Sequence, residues 1–564
     1  MAKPPESLVE HFTWARHGLA WCQENAKSKL LLECMDLTVS SWFSGIGSAE
    51  VALSMISEAR KGIGGTGSAF QAAYQFEINS RARAISAMNL PYCTCQHVDI
   101  LRLLSAENRN ELAKIDRDMT DREGPTWDCL LNAKLDDAGL CSRHLMRCKI
   151  PSTMMDISGS MCVHYSSMGN SEKENGISNK LFLIWLKHHG LKRTPLLLHE
   201  NVQSFPLDYL KERASHYGYT HIARIETSGS DVNLNAVSRK PVCPLRYDIL
   251  VLPGYFTQVD DPAAVYRALS QHLRSKLPGV GMNDVVWVED PHTLRQELRS
   301  AANSNCGLSS SELEKLPLDD WRPALSKDEQ DNYKCYLAKL DMEGPACDRP
   351  LRAVCVQQNP DERFMAGNEH CLPTFTKSST TRVMLTSKDR WLCGVEKMAL
   401  HGFPVDPALA EASGLPLLSV QGHAGLHQCC GNGMIVANVG LVIVSALASL
   451  SPEKKFQDAL AESHKECETL GLPETLKFHA GWQRWRLDIG GQSHTFVSKE
   501  DALEAHRVVT NARQGFNTKT VKDLNVILTN AGVKAERTKP KAIEAVVRHS
   551  FRTSGIPCHC CSAK

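Results

Sequence analysis

Short apolar runs separated by helical stretches divide this chain into recognisable parts. Runs of the kind that bury as strands occur at Leu37–Phe43, Ala72–Phe76, Cys95–Val98, Met154–Ile157, Pro195–Leu198 and Ile249–Leu252. Between and before them lie helical stretches: Leu8 to Leu32 within an N-terminal segment (1–36), Ala49 to Ala59, and the amphipathic Asn179–His188. Strands alternating with helices predict an α/β, doubly wound sheet. From Pro253 to Glu369 regular alternation is lost, and Trp287, Trp321 and Tyr333 stand among many charges. Met434–Leu450 is the longest apolar run, but its Asn438 and flanking glycines fit a buried helix better than a membrane span. After Ser451-Pro452 the character changes. Trp482–Ile489 and Gln492–Val497 read as strands about a Gly490-Gly491 hairpin turn, and Ser498–Asn511 as a helix with Ser498 as N-cap. Thr520–His549 reads as helix, glycine-containing turn, helix.

Composition narrows the class. A chain of 564 residues is too long for one ordinary core, so a large domain with at least one smaller unit is expected. Hydrophobic residues at 42% and charged residues at 23% describe a soluble globular protein. The 21 cysteines show no small secreted framework and no leader peptide opens the chain, so we expect a reducing cytosolic or nuclear compartment. Net charge is only +1, but its distribution is uneven. From Lys477 onward there are 15 Lys and Arg against 7 Asp and Glu, leaving 49 basic and 56 acidic residues before it. A basic tail on a mildly acidic body implies that a polyanion binds at the C-terminal end. The run Cys558-His559-Cys560-Cys561 cannot close one tetrahedral metal site without partners elsewhere. No metal is assigned, and a disordered end is expected.

Candidate chemistry sits at the strand ends. Ser44-Gly45-Ile46-Gly47-Ser48 between a strand and a helix presents backbone N–H groups and a helix N-terminus to a ligand. Glu77 closes the second strand, where an acid can accept hydrogen bonds from ribose hydroxyls; Asp99 closes the third, suited to an adenine amino group. Each acid also reads simply as a helix N-cap. Glu77 lies 32 positions beyond Gly45, an excess that an inserted loop at Gly62–Gly67 explains. Cys162 stands on a loop opened by Ser158-Gly159-Ser160 after a buried strand, which is the layout of a positioned thiolate. His199-Glu200-Asn201-Val202 ends another strand, and Arg239-Lys240 and Arg246 precede the sixth.

The ordered set FSGIGSAE, FEIN, VDI, a strand-loop cysteine, ENV and a basic segment before an apolar strand resembles the DNA cytosine-5 methyltransferase family. Glu396–Pro404 (EKMALHGFP), Gly431-Asn432-Gly433 and Cys371–Val383 resemble that family's late segments, so the likeness spans roughly residues 37–450. The resemblance implies a Rossmann-like domain that uses S-adenosylmethionine and extrudes its target base from double-stranded DNA. It implies Cys162 as the nucleophile at carbon 6 of cytosine, Glu200 as the group holding the ring nitrogen and exocyclic amine, and Arg246 or Arg239 as the orienting donor. It implies Phe43, Gly45, Gly47, Glu77 and Asp99 around the cofactor, closed by Asn432. Three departures are plain: Met161 stands where the family has proline before the nucleophile, His164 has no family role and reads as a solvated loop histidine, and Pro241-Val242-Cys243-Pro244 splits the basic segment. The Cys162–Glu200 pair would serve RNA equally, and a catalytically silent DNA-binding or retroelement-associated protein with the same fold is a third reading.

The expected organisation is a helical segment (1–36), the cofactor-binding and catalytic part (37–252), a target-recognition region (253–370), the closing part (371–450) and a linker (451–476). A small DNA-binding domain (477–515), a helical hairpin (518–552) and a tail (553–564) follow. The small domain resembles the sheet-plus-helix DNA-binding domains of plant transcription factors and phage integrase arms, with Arg484 and Arg486 on one strand face. The hairpin resembles a SAP-type DNA-binding element, with Lys539 and Lys541 at the start of its second helix. By this reading the protein works in the nucleus, or the nucleoid of a prokaryote, with no membrane partner.

Overall fold

The computed structural model describes residues 3–33, 36–64, 69–89, 94–144, 146–160, 163–165, 172–237, 245–301, 308–342, 344–362, 364, 366–367, 371–373, 382–418, 430, 433–467, 476–479, 484–489 and 492–496. Nine strands form its central sheet: β1 Leu37–Trp42, β2 Phe70–Phe76, β3 Cys95–His97, β4 Ala138–Cys141, β5 Met146–Lys149, β6 Met155–Gly159, β7 Leu196–Val202, β8 Thr220–Thr227 and β9 Leu245–Val251. Their order is β5-β4-β3-β2-β1-β6-β7-β9-β8. The middle five are parallel, while β9 pairs antiparallel with β7 and β8, and β4 with β3 and β5. The expected α/β doubly wound sheet is what the chain forms. All six residues of β1 are buried, as a strand covered on both faces requires.

Alternating side chains of β1 mark the two faces. Ser41 donates to the buried Glu50 of the helix Ser48–Gly62, so that helix covers one face. Thr38 and Ser40 point to the other, where Thr38 meets Ser463 of the helix Lys454–Cys467 at 2.6 Å. On the first face the wholly buried helix Val436–Ala448 packs on Ser48–Gly62 and Trp14–Asn25. A Cβ on Gly440 would lie 1.9 Å from the Trp14 ring, so only glycine admits that indole. The N-terminal segment is therefore part of the main core. No helix among the described residues is long and apolar enough to cross a membrane.

At the centre of the second face lies Asp156, fully buried on β6. It accepts hydrogen bonds from Ser40 at 2.7 Å, from Trp185 Nε1 at 2.8 Å and from Ser158. His189 Nε2 stands 3.2 Å away. Trp185 and His189 belong to the helix Asn179–Lys192, so one carboxylate ties β1, β6 and that helix together. Around it runs a layer of buried rings that includes Trp42, Phe76, His97, His188 and His199.

Two expectations about organisation change. Residues 451–476 do not begin as a linker: Leu450–Pro452 pairs with Phe256–Gln258, and Lys454–Cys467 packs on β1 with Phe456 buried. The region after Pro253 is not irregular. It holds the helices Pro262–Lys276, Pro291–Ala301 and Lys327–Lys339 and a small antiparallel sheet of Ala353–Cys355, Val383–Leu385 and Arg390–Trp391. Trp321, Tyr333 and Trp391 are buried there, and the Arg390–Glu396 pair at 2.8 Å is buried with them. Further on, Leu476–His479, Arg484–Ile489 and Gln492–Phe496 form a three-stranded antiparallel sheet whose register sets Lys477, Arg486 and Thr495 in one row. The helix expected at 498–511 and the helical hairpin with Lys539 and Lys541 lie outside the described residues.

The buried polar groups set how the fold responds to acid and to substitution. Burial lowers the pKa of His199 to about 4 and holds His97 and His188 below the usual histidine value. The unfolded chain, with histidines near 6.5, binds more protons than the folded one below that pH. Stability is thus full above about pH 6.5 and falls as pH drops toward 4, by up to ~1.4 kcal/mol per pH unit for each such histidine. Urea unfolding of His199→Gln between pH 6.5 and 5 should show a shallower slope, by close to one proton; an unchanged slope would refute the assignment. Asp156→Ala strands three buried donors and should cost about 3–5 kcal/mol, with Asp156→Asn costing less. Equal denaturation midpoints for Asp156→Ala and the parent would mean the network is not structural.

Candidate functional site

The carboxyl ends of β1, β2, β3, β6 and β7 open on one edge, and the chain order reverses between β1 and β6, where such sheets form a crevice. Phe43 leaves β1 at φ +57, a left-handed conformation that costs a bulky residue about 1–2 kcal/mol. Gly45 (φ +56) and Gly47 (φ +90) complete the turn, with Gly47 as N-cap of the helix Ser48–Gly62. A Cβ on Gly45 would meet no atom within 4 Å, so the outer side of the turn is open to approach.

Glu77 fixes this turn. Its carboxylate accepts the Gly45 N–H at 2.8 Å with one oxygen and the Asn79 N–H at 2.7 Å with the other. A carboxylate has about four lone-pair positions, so each oxygen keeps capacity for a further donor such as a hydroxyl. Asp99, past the end of β3, accepts the Leu101 N–H at 3.0 Å and caps the short helix Ile100–Leu103. The N-cap reading of Asp99 is therefore realised, and its second oxygen stands 3.8 Å from Arg102. Phe43, Gly45, Gly47, Glu77 and Asp99 all fall on one edge.

Glu200 sits on β7 opposite Gly159 of β6. A Cβ on Gly159 would lie 2.5 Å from a Glu200 carboxylate oxygen, so the glycine makes room for the acid. The next residue, Ser160, is held by Asn201 Nδ2 at 2.8 Å and by His199 Nε2 at 2.8 Å. The backbone is thus pinned two residues before Cys162, which itself lies outside the described residues, as do Arg239 and Asn432. In the sequence Ser160, His199 and Asn201 stand only as parts of a turn and a strand end, with no role of their own; the signal for one is polar residues at the close of two apolar strands.

Arg246 has partners of its own, and His164 falls elsewhere than expected. Arg246 pairs across β9 with Asn201 and Glu226, while Glu200 pairs with Tyr247. Side chains alternate, so Arg246 stands on the face opposite Glu200. Its guanidinium bonds Glu226 at 2.7 Å and the Gln203 carbonyl. The structure does not bring it to Glu200. His164, expected as a solvated loop histidine, is buried: its Nδ1 is 3.3 Å from Glu172, and its ring occupies the space that a Cβ on Gly176 would need.

No family model matches the chain, and no curated protein matches it. Among solved structures it is similar to an E. coli prophage protein described as a DNA modification methyltransferase, 14% identical, covering 73% of this chain and 98% of that one with a TM-score of 0.36. The S. pombe Dnmt2 methyltransferase is 14% identical, with coverage of 73% and 98% and a TM-score of 0.35. The Entamoeba histolytica methyltransferase EhMeth is 14% identical, with coverage of 73% and 97% and a TM-score of 0.33. At that level of likeness the chemistry has to be argued from the chain's own residues.

Proposed function

We propose that this chain is a cytosine-5 methyltransferase acting on DNA. The observation that supports it is the convergence, at one sheet edge, of a glycine turn clamped by Glu77 and a pinned strand exit beside Glu200, two residues before Cys162 in the chain. The open side of Gly45 and the remaining acceptor positions of Glu77 fit a nucleoside cofactor, with Asp99 beside them. S-adenosylmethionine, when bound, supplies the methyl group.

The residues then divide the work. Cytosine carbon 5 is a poor nucleophile until carbon 6 takes up an electron pair. The Cys162 thiolate forms the bond to carbon 6, and the ring's 5,6 double bond delivers its electrons to carbon 5. Glu200 holds the ring nitrogen and exocyclic amine as charge develops there. The electron pair at carbon 5 forms the bond to the methyl carbon. Carbon 5, now carrying both methyl and hydrogen, loses its proton to a base, and the C–H electrons re-form the double bond as the thiolate leaves carbon 6. The base has to leave the duplex to reach the edge of the sheet. Arg246 is committed to Glu226, so Arg239 is the better candidate for the orienting donor.

Methyl transfer from labelled cofactor, measured on DNA and RNA side by side, tests the reading. Cys162→Ser should abolish transfer and leave cofactor affinity nearly unchanged; transfer that persists in that variant would disprove the nucleophile. Glu77→Ala should weaken cofactor binding by about 1.5–3 kcal/mol, the range for hydrogen bonds to a charged group. Unaltered affinity by calorimetry would move the ribose site elsewhere. RNA as the better acceptor would replace DNA in the proposal.

The basic surplus beyond Lys477 supports DNA as the partner of the C-terminal end. The helix Lys454–Cys467 belongs to the body, so a truncation should follow Cys467. That shortened chain should keep cofactor affinity but bind DNA more weakly, with a log–log salt slope flatter by roughly 0.9 for each phosphate it no longer neutralises. An unchanged affinity and slope would assign the tail to another partner.

A further inference from the structure

We propose that Cys95, Cys141, His144 and Cys148 form a structural zinc site that clamps the β4–β5 hairpin to β3. Cys95 comes from β3, Cys141 from the end of β4, His144 from the turn and Cys148 from β5. The ligand-bearing atoms of the four residues all lie within 4.8 Å of one another. His144 Nδ1 stands 3.7, 3.4 and 3.3 Å from the sulfurs of Cys95, Cys141 and Cys148.

Those distances match a shared ion. With Zn–S near 2.3 Å and Zn–N near 2.0–2.1 Å, a tetrahedron has an N···S edge of about 3.6 Å. Hydrogen bonding alone accounts for less. Nδ1 carries a single lone pair, so it can accept from one thiol, yet three sulfurs surround it at nearly equal distance. None of the three sulfurs is in a disulfide, and one disulfide could employ only two of them. Three thiolates and an imidazole favour zinc over the oxygen-seeking magnesium and calcium. Cys95, Cys141 and Cys148 are buried, which suits a closed structural site rather than one with an open position for substrate. The Gln96 N–H donates to the Cys141 sulfur at 3.3 Å, an outer-shell contact of the kind that steadies a thiolate ligand.

The fold gives such a clamp work to do. β3 has three residues, and its pairing with β4 rests on one register position, His97 opposite Cys141. Residues 95 and 144 are 49 positions apart, with the helices Ala106–Asp118 and Glu123–Asn132 between them. An ion here closes that long loop and fixes the strand whose exit carries Asp99. It stands apart from Glu200 and Ser160 and takes no part in chemistry there.

The test uses the full chain purified under reducing conditions without chelator. Metal content by mass spectrometry should fall by one zinc per chain in Cys148→Ser, and should not fall by that zinc in the double variant Cys560→Ser plus Cys561→Ser. Cobalt in place of zinc should give tetrahedral d–d bands with sulfur-to-cobalt charge transfer, lost in Cys148→Ser. Because that variant could fail to fold, His144→Cys provides the second arm. It should retain the metal and raise the charge-transfer intensity by about one third, as four thiolates replace three. A parent chain with no zinc equivalent that Cys148→Ser removes would overturn the site. So would a cobalt spectrum that His144→Cys leaves unaltered, or a disulfide between two of the three thiols in the reduced preparation.

Discussion

A carboxylate without access to water has to find its hydrogen bonds inside the fold, and removing it from water costs several kcal/mol before any partner returns that energy. Asp156 meets this constraint by drawing Ser40 from β1, Ser158 from its own strand and Trp185 from the helix Asn179–Lys192. These donors are together only when β1, β6 and the helix are in register. A one-residue slip of β6 would put the acid on the other face, against apolar side chains. Ser158 also accepts the Trp42 N–H at 2.9 Å, which carries the same order to the last residue before the glycine turn. The crevice edge thus inherits its geometry from a polar cluster in the middle of an apolar sheet.

Much of this was legible. Buried strands read as apolar runs, so β1, β2, β3 and β6 lie within two residues of their expected limits, while β7 and β9 are recognised only in part, each running four residues further at its polar end. Their closing acids, Glu77, Asp99 and Glu200, were visible because a charged residue ends each run. What could not be read depended on pairing across distance. Arg246 carries no mark in the chain that its antiparallel register sets it beside Glu226. The β4–β5 hairpin is made of two four-residue strands, too short to show a period. Cys141, His144 and Cys148 have metal-ligand spacing, yet the spacing means little until Cys95 arrives from a neighbouring strand. Burial of His164 likewise depends on Gly176, twelve residues on, leaving space for its ring.

The region after Pro253 shows how charge can serve a core. Arg390 and Glu396 form a buried pair whose carboxylate also accepts the Val288 and Cys393 N–H groups, at 3.0 and 2.8 Å. Arg349 with Asp389 and Arg382 with Glu329 repeat the arrangement at 2.6 Å each. A stretch that looks irregular by hydrophobic period is therefore ordered by buried guanidinium–carboxylate pairs, of which Arg390–Glu396 is bidentate.

The seat of Trp14 against Gly440 has a consequence for synthesis. The indole leaves the ribosome 426 residues before the glycine that receives it. At about 5–20 residues per second that is roughly 20–85 seconds during which the indole lacks one wall of its seat, although its helix already has Ser48–Gly62 to pack on. The first-made part of the body is among the last to be completed.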